Sequence, residues 1–262
     1  MTAPTKAAAP VHLDDDLKAL CLPTIASSWE RMAEEARRER RTHAEYLADL
    51  ASLEVGGRRE RKIERRIAEA RFPILKTLDA FDFAGQASLD KETVLDLSRG
   101  GFVGSASNVV LLGPVGTGKT HLAIALGPAC CQQEHRVRFT TAAELTNALV
   151  EAKREGRTSR KLEQFARFDV VILDELGYVP FDREGADLLF GFIARVYERR
   201  SLIVTTNLPF AKWADVFHDA TAAAAVIDRI VHHATVIKTD GPSYRLKAAE
   251  GRGRRRKDGG TS

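Results

Sequence analysis

The run GPVGTGKT at 113–120 constrains this chain more than any other feature. It matches G-x-x-x-x-G-K-[ST], follows the apolar segment NVVLL and precedes HLAIAL, an apolar stretch of helical character. Strand, glycine-rich turn and helix in that order form a loop whose backbone amides converge at a helix start. Gly113, Gly116 and Gly118 supply the backbone freedom, while Pro114, Val115 and Thr117 fill the loop and His121 follows it. The helix start adds the positive end of its dipole, so the loop is a cradle for phosphate. In such a cradle the Lys119 ammonium reaches the β- and γ-phosphates and the Thr120 hydroxyl binds Mg²⁺, which predicts ATP with magnesium as the ligand.

A phosphate cradle alone only binds; hydrolysis needs a metal anchor and a base. VVILDELGY supplies both, because four apolar residues at 170–173 end in Asp174 and Glu175 at the carboxyl end of a buried strand, where ligands of α/β sheets sit. Asp174 is expected to hold Mg²⁺ through water, and Glu175 to orient and deprotonate the attacking water. The plainer reading, an acidic pair capping the next helix, leaves the upstream loop unexplained. LIVTTNLPF ends a β-branched strand at Asn207, whose amide is placed to reach the γ-phosphate or the water; in isolation it would be an ordinary turn asparagine. AVIDRIVHHATV then puts Arg229 on a helix. It reads either as a solvated surface arginine or as a finger supplied to a neighbouring subunit's ATP, where it stabilises charge developing in phosphoryl transfer. His232 and His233, adjacent on a helix, read as diverging and so as a poor metal site.

Around these motifs, short β-branched runs alternate with helical stretches, the pattern of a parallel sheet flanked by helices. The fold class predicted for 105–247 is α/β, with strands at 109–112, 137–140, 170–173, 202–206 and 235–238. Upstream, 13–72 is almost free of Gly and Pro and carries Leu47, Leu50, Leu53, Ile63 and Ile67 at helical spacing. It predicts a small all-helical N-terminal domain, for which the basic run at 58–66 leaves contact with DNA or a partner open. The stretch 73–104 reads as a linker folded onto the next domain, and 1–12 and 248–262 read as disordered tails. A total of 262 residues suits one standard core with a smaller appended module. Cys21, Cys130 and Cys131 are odd in number and lack metal-ligand spacing, so they read as small apolar side chains. No apolar run reaches the length of a bilayer span and no apolar leader opens the chain, which predicts a cytoplasmic protein without a membrane partner.

The formal net charge is +4, and its distribution matters more than its size. At 58–66 six cations interleave with two glutamates, which reads as well as a solvated helix laced by ion pairs as it does a DNA contact. At 153–161 five cations face one glutamate in nine residues, a balance that ion pairing explains poorly and phosphate binding explains well. A third basic cluster lies at 252–257.

Taken together, LGPVGTGKTHLAIALG, RVRFTTAAEL, ILDELGYVPFDREGADLLF, TTNLPFAKWADVF and IDRIVHHATVIKTDGPSYRLK resemble the IstB family of insertion-sequence helper ATPases, relatives of the helicase loader DnaC. LKALCLPTIASSWE, EARFPILKTLDAFDF and SLDKETVLDL extend the resemblance upstream, so that it spans about 13–247. It implies an AAA+ ATPase domain, a homo-oligomer that assembles around double-stranded DNA when ATP is bound, and work with the transposase of the same element. By motif position it implies that Lys119 and Thr120 bind phosphate and metal, that Asp174 and Glu175 are the second acidic motif, that Asn207 is the sensor and that Arg229 is the finger. Arg245 is implied more loosely as a nucleotide contact. A replicative helicase loader of the DnaC type would share all of these residues and stands as the alternative. A small-molecule kinase fits less well, because no arginine-rich lid is present and the Asp174 and Glu175 pair favours water as acceptor. One departure concerns Gly127 and Pro128, which fall inside the helix after the loop and are expected to end or kink it.

Overall fold

The computed structural model describes residues 12–86, 88–178 and 180–244. The chain divides into two units, the first ending at Glu64 and the second beginning at Arg65. The first is built from α1 (Leu13–Ala19), α2 (Pro23–Ala26), α3 (Trp29–Arg38) and most of α4 (His43–Ala70). At its centre Glu54 is only 3% exposed. Its carboxylate accepts from the Thr24 and Ile25 amides at 2.9 and 3.1 Å, which satisfies the otherwise orphaned first turn of α2. Arg58 and Arg61 donate to its other oxygen at 3.1 and 3.0 Å. Burial pushes this carboxyl up, but the amides and Arg58 outweigh it and hold the group below the usual glutamate value. Two cations of the 58–66 cluster are therefore engaged in holding this unit together, and Arg58 also donates to the Cys21 carbonyl at 2.7 Å.

The second unit continues through α5 (Lys91–Ser98), α6 (Gly101–Gly104), β1 (Asn108–Leu112), α7 (Lys119–Gln132), β2 (Val137–Thr141), α8 (Ala142–Arg154) and α9 (Thr158–Ala166). It closes with β3 (Val170–Asp174), α10 (Arg183–Val196), β4 (Ser201–Thr206), a 3₁₀ turn (Phe210–Lys212), α11 (Trp213–Phe217), α12 (Ala220–Val231) and β5 (Ala234–Lys238). The strands form one parallel sheet in the order β2-β3-β4-β1-β5. Each lies within one residue of the span read from sequence.

The apolar runs are continuous rather than alternating because both sheet faces are covered. Val110, Val171, Leu173 and Val204 face a core built with Leu145, Leu189, Phe192 and Ile230. Val109, Leu111, Ile172 and Ile203 face the opposite core, built with Leu122 and Leu126 of α7. The segment 73–104 contributes Phe81, Leu89, Val94, Leu97 and Phe102 to this second core.

Helix α7 corrects the expectation at Pro128, because it runs unbroken to Gln132 with Pro128 inside it. Tertiary burial overrides the local cost: Leu122, Ala123, Leu126, Cys130 and Cys131 are all inaccessible. The preceding Gly127 is there for a close approach, since a Cβ at that position would stand 2.4 Å from the Phe72 ring. Burial pushes the Cys130 thiol up to about 12 and that of Cys131 to about 11, so both are inert packing groups.

Parallel strands deliver their carboxyl ends to one edge of the sheet, and the candidate residues lie at those ends.

Candidate nucleotide-binding site

The glycine-rich loop leaves β1 at Gly113 and enters α7 at Lys119. Gly116 and Gly118 hold φ of 84° and 92°, a left-handed region that glycine enters without strain. Space is as tight as the backbone: a Cβ on Gly116 would stand 2.1 Å from Ser243 Oγ, and one on Gly118 would stand 2.7 Å from the Phe81 ring. Within the loop, Lys119 Nζ donates to the carbonyl oxygens of Gly113 and Pro114, both at 2.7 Å. Thr117 Oγ1 donates to Pro114 O at 2.9 Å and pairs with Thr239 Oγ1 at 2.7 Å, tying the loop to the residue that follows β5.

At the neighbouring strand ends, Thr120 Oγ1 donates to Asp174 Oδ1 at 3.0 Å. Thr205 Oγ1 donates to the same oxygen at 2.5 Å and accepts from the Glu175 amide at 2.9 Å. Asp174 and Thr205 are 4% and 1% exposed, whereas Glu175 is exposed. Glu175 holds a φ of 59°, a left-handed conformation that is costly for a residue with a side chain and recurs at functional sites. The turn sets Glu175 on the wall of a cleft of about 140 Å³ that Lys119, Thr120, Tyr178 and Asn207 also line. Sequence motifs separated by more than fifty residues thus meet around one small space.

A larger cleft of about 520 Å³ also borders the loop, lined by Ile74, Phe81, Asp82, His121 and Tyr244 together with Gly116, Gly118, Lys119 and Thr120. The Phe81 ring meets His121 edge-on at 5.3 Å and Tyr244 at 6.2 Å. Tyr244 N donates to Gly116 O at 3.0 Å, and its hydroxyl donates to Asp82 O. Burial raises the Tyr244 phenol and the Asp82 carboxylate adds to the rise, so the group stays a protonated donor. Apolar walls, aromatic edges and a loop of amides suit a purine nucleoside held by its phosphates. Sequence reading missed Ile74, Phe81, Asp82 and Tyr244. The available signal was the aromatic run FDF and the tyrosine beside Arg245.

Arg229 lies elsewhere. Its guanidinium covers the Phe190 ring at 5.2 Å and the Tyr197 ring at 6.0 Å, and it donates to Ala225 O at 2.9 Å. The adjoining Ile230 carbonyl accepts from the side chain of Asn108, the first residue of β1, at 2.9 Å. The loop departs from the far end of that strand, roughly 13 Å away at about 3.3 Å per residue. Arg229 is therefore remote from the loop of its own chain. Arg245 and the basic cluster at 252–257 lie outside the described residues.

The 153–161 stretch forms the turn from α8 to α9. Lys153 pairs with Glu184 at 2.9 Å and Arg157 pairs with Glu155, while among the described residues Arg154, Arg160 and Lys161 have no ion-pair partner. Arg157, Arg160 and Lys161 line a groove of about 320 Å³ with Glu151 and Glu155.

A family model described as IstB-like ATP binding protein matches residues 15–251. An ATP-binding protein of insertion sequence IS21 from Pseudomonas aeruginosa is 43% identical over 218 residues, 83% of this chain and 82% of the relative. One of insertion sequence IS5376 from Geobacillus stearothermophilus is 37% identical over 228 residues, 87% of this chain and 91% of the relative. Among solved structures, AMPPCP-bound DnaA from Aquifex aeolicus is similar with a TM-score of 0.53 at 21% identity, covering 67% of this chain and 54% of DnaA. The DnaC helicase loader is similar with a TM-score of 0.50 at 20% identity, covering 56% of this chain and 86% of the loader. Those two likenesses establish the AAA+ fold. With the glycine loop, the acidic strand end and the asparagine strand end assembled in the order the sequence predicts, and with a match spanning both units, the chain belongs to the family of IstB-like ATP-binding proteins.

Proposed function

We propose that this protein hydrolyses ATP to time its assembly on double-stranded DNA, and that in this state it stimulates the transposase of its own insertion sequence. The observation that carries the reading is the hydrogen-bonded run from Thr120 through Asp174 and Thr205 to the Glu175 amide, which sets a hard-oxygen pair and a carboxylate beside the loop lysine. The Thr120 hydroxyl and Asp174 carboxylate, 3.0 Å apart, are the oxygen donors that suit Mg²⁺. Magnesium there would neutralise charge on the β- and γ-phosphates.

The remaining roles fall to the chain's own groups. Loop amides and Lys119, whose ammonium exchanges the Gly113 and Pro114 carbonyls for phosphate oxygens, hold the triphosphate. Pro114, Val115, Thr117 and His121 shape the cradle. Phe81, Ile74 and Tyr244 flank the base. Glu175 accepts a proton from water as its oxygen attacks the γ-phosphorus, ADP leaves with the bridging oxygen, and Asn207 orients the water or the γ-phosphate. Arg229, remote from its own loop, acts on a neighbouring copy's ATP, which makes turnover depend on a homo-oligomer. Arg154, Arg160 and Lys161, which have no ion-pair partner among the described residues, contact DNA phosphates. Insertion sequences in the names of relatives favour the transposition helper over the helicase loader. We place this work on DNA in the cytoplasm; among the described residues no helix is long and apolar enough to cross a membrane.

The test is ATP turnover by the purified chain with and without duplex DNA, alongside strand transfer by the transposase encoded in the same element. DNA-stimulated turnover and ATP-dependent strand transfer support the reading. Loading of a replicative helicase with no effect on strand transfer would transfer it to the loader class.

A further inference from the structure

His232 and His233 were expected to diverge on a helix, and they do not. Helix α12 ends at Val231, so His232 is its C-terminal cap and His233 lies in the turn before β5. Their rings meet with centroids 4.0 Å apart. Glu198, in the turn between α10 and β4, has its carboxylate oxygen 4.0 Å from His233 Nε2. One donor atom from each of the three lies within 4.8 Å of the other two, and all three side chains are exposed.

We propose that Glu198, His232 and His233 bind a divalent transition-metal cation of the zinc class, at a site separate from the nucleotide cleft. In a tetrahedral site with bonds of about 2.0–2.1 Å the donors stand roughly 3.3 Å from one another, so small rotations of three exposed side chains close the set. Two features preorganise it. Tyr197 Oη stands 3.0 Å from His232 Nδ1, which leaves Nε2 for the ion and gives the ring the outer hydrogen bond that metal-binding histidines require. The His233 carbonyl accepts from the Asn108 amide at 2.7 Å, fixing the turn to the first residue of β1. Two imidazoles and one carboxylate select zinc, copper or nickel over magnesium, whose preference is for oxygen. Three protein donors leave a fourth position for water or for a group from another molecule. Tyr197 also lies beneath the Arg229 guanidinium, so one side chain joins this site to the candidate finger.

The experiment is a zinc titration of the chelator-treated full chain against a chromophoric competitor, with excess magnesium and ATP present to fill the nucleotide site. The parental chain should take up one tight equivalent, and its thermal midpoint should rise with zinc. His233→Ala and Glu198→Gln should each weaken uptake by about tenfold or more, while their midpoints without zinc stay at the parental value, because both side chains are exposed. A parental chain that binds no equivalent, or variants that keep the parental affinity, would overturn the assignment.

Discussion

Thr205 donates its hydroxyl to the Asp174 carboxylate at 2.5 Å and accepts the Glu175 amide at 2.9 Å, so one buried threonine holds both members of the acidic pair. It lies two residues before Asn207 on a strand that ends at Thr206, which couples the Asn207 turn to the proposed metal anchor and base. Thr205→Val keeps the shape and removes both bonds. ATP binding should persist while turnover falls about 10–100-fold, the usual cost of losing a group that orients a metal ligand. Nucleotide affinity and steady-state hydrolysis measured side by side check this; parental turnover would mean the threonine only packs.

The large cleft predicts a base contact that can be removed without touching the core. Ile74 lines it yet is 57% exposed, so Ile74→Ser should leave the thermal midpoint unchanged. Losing one apolar side chain from a ligand contact costs about 1.5 kcal/mol, which weakens ATP binding roughly tenfold. Fluorescent ATP-analogue titration is the measurement, and unchanged affinity would move the base elsewhere.

Glu54 ties acid sensitivity to the first unit. Its carboxyl titrates below the usual glutamate value in the folded chain, so its stabilising contribution is complete above that value and is lost as pH falls through the lowered one. Glu54→Gln removes the buried charge that the Thr24 and Ile25 amides and the half-exposed Arg58 and Arg61 guanidiniums are arranged around, and should destabilise by about 1–3 kcal/mol near neutrality. It should also flatten the acid limb of stability against pH. Urea unfolding across pH 3–7 tests both effects, and an unchanged acid limb would place the titration in other carboxylates.

For DNA, the geometry sharpens which cations matter. Lys153 and Arg157 are engaged by Glu184 and Glu155, whereas Arg154, Arg160 and Lys161 have no ion-pair partner among the described residues. Replacing those three with Ala should flatten log affinity against log salt by about 0.9 per lost contact, with little change in sequence preference. An unchanged slope with ATP present would remove this turn from the DNA path.

What was legible in the sequence is what local chain order encodes. The strand spans, the loop and the acidic pair each sit within a dozen residues, and parallel topology brings their ends together whatever the loops do. What was not legible arises from contacts between distant segments. Phe81 against Gly118, and Tyr244 against Asp82 and Gly116, build a cleft wall from a stretch that reads as a linker. Glu54 takes up Arg58 and Arg61, so part of a run that reads as basic surface is structural. Pro128 continues its helix because the surrounding core outweighs one missing hydrogen bond, and the histidine pair converges because its helix ends at Val231.

In the proposed function the cleft at Glu175 hydrolyses ATP rather than only holding it. The most direct measurement compares ATP binding and single-turnover hydrolysis in Glu175→Gln and Lys119→Ala with the parental chain. Glu175→Gln should bind ATP with parental affinity and lose hydrolysis by at least about 100-fold, because only the base is gone, whereas Lys119→Ala should lose binding itself. Parental hydrolysis in Glu175→Gln, with the variant folded and ATP bound, would contradict the account.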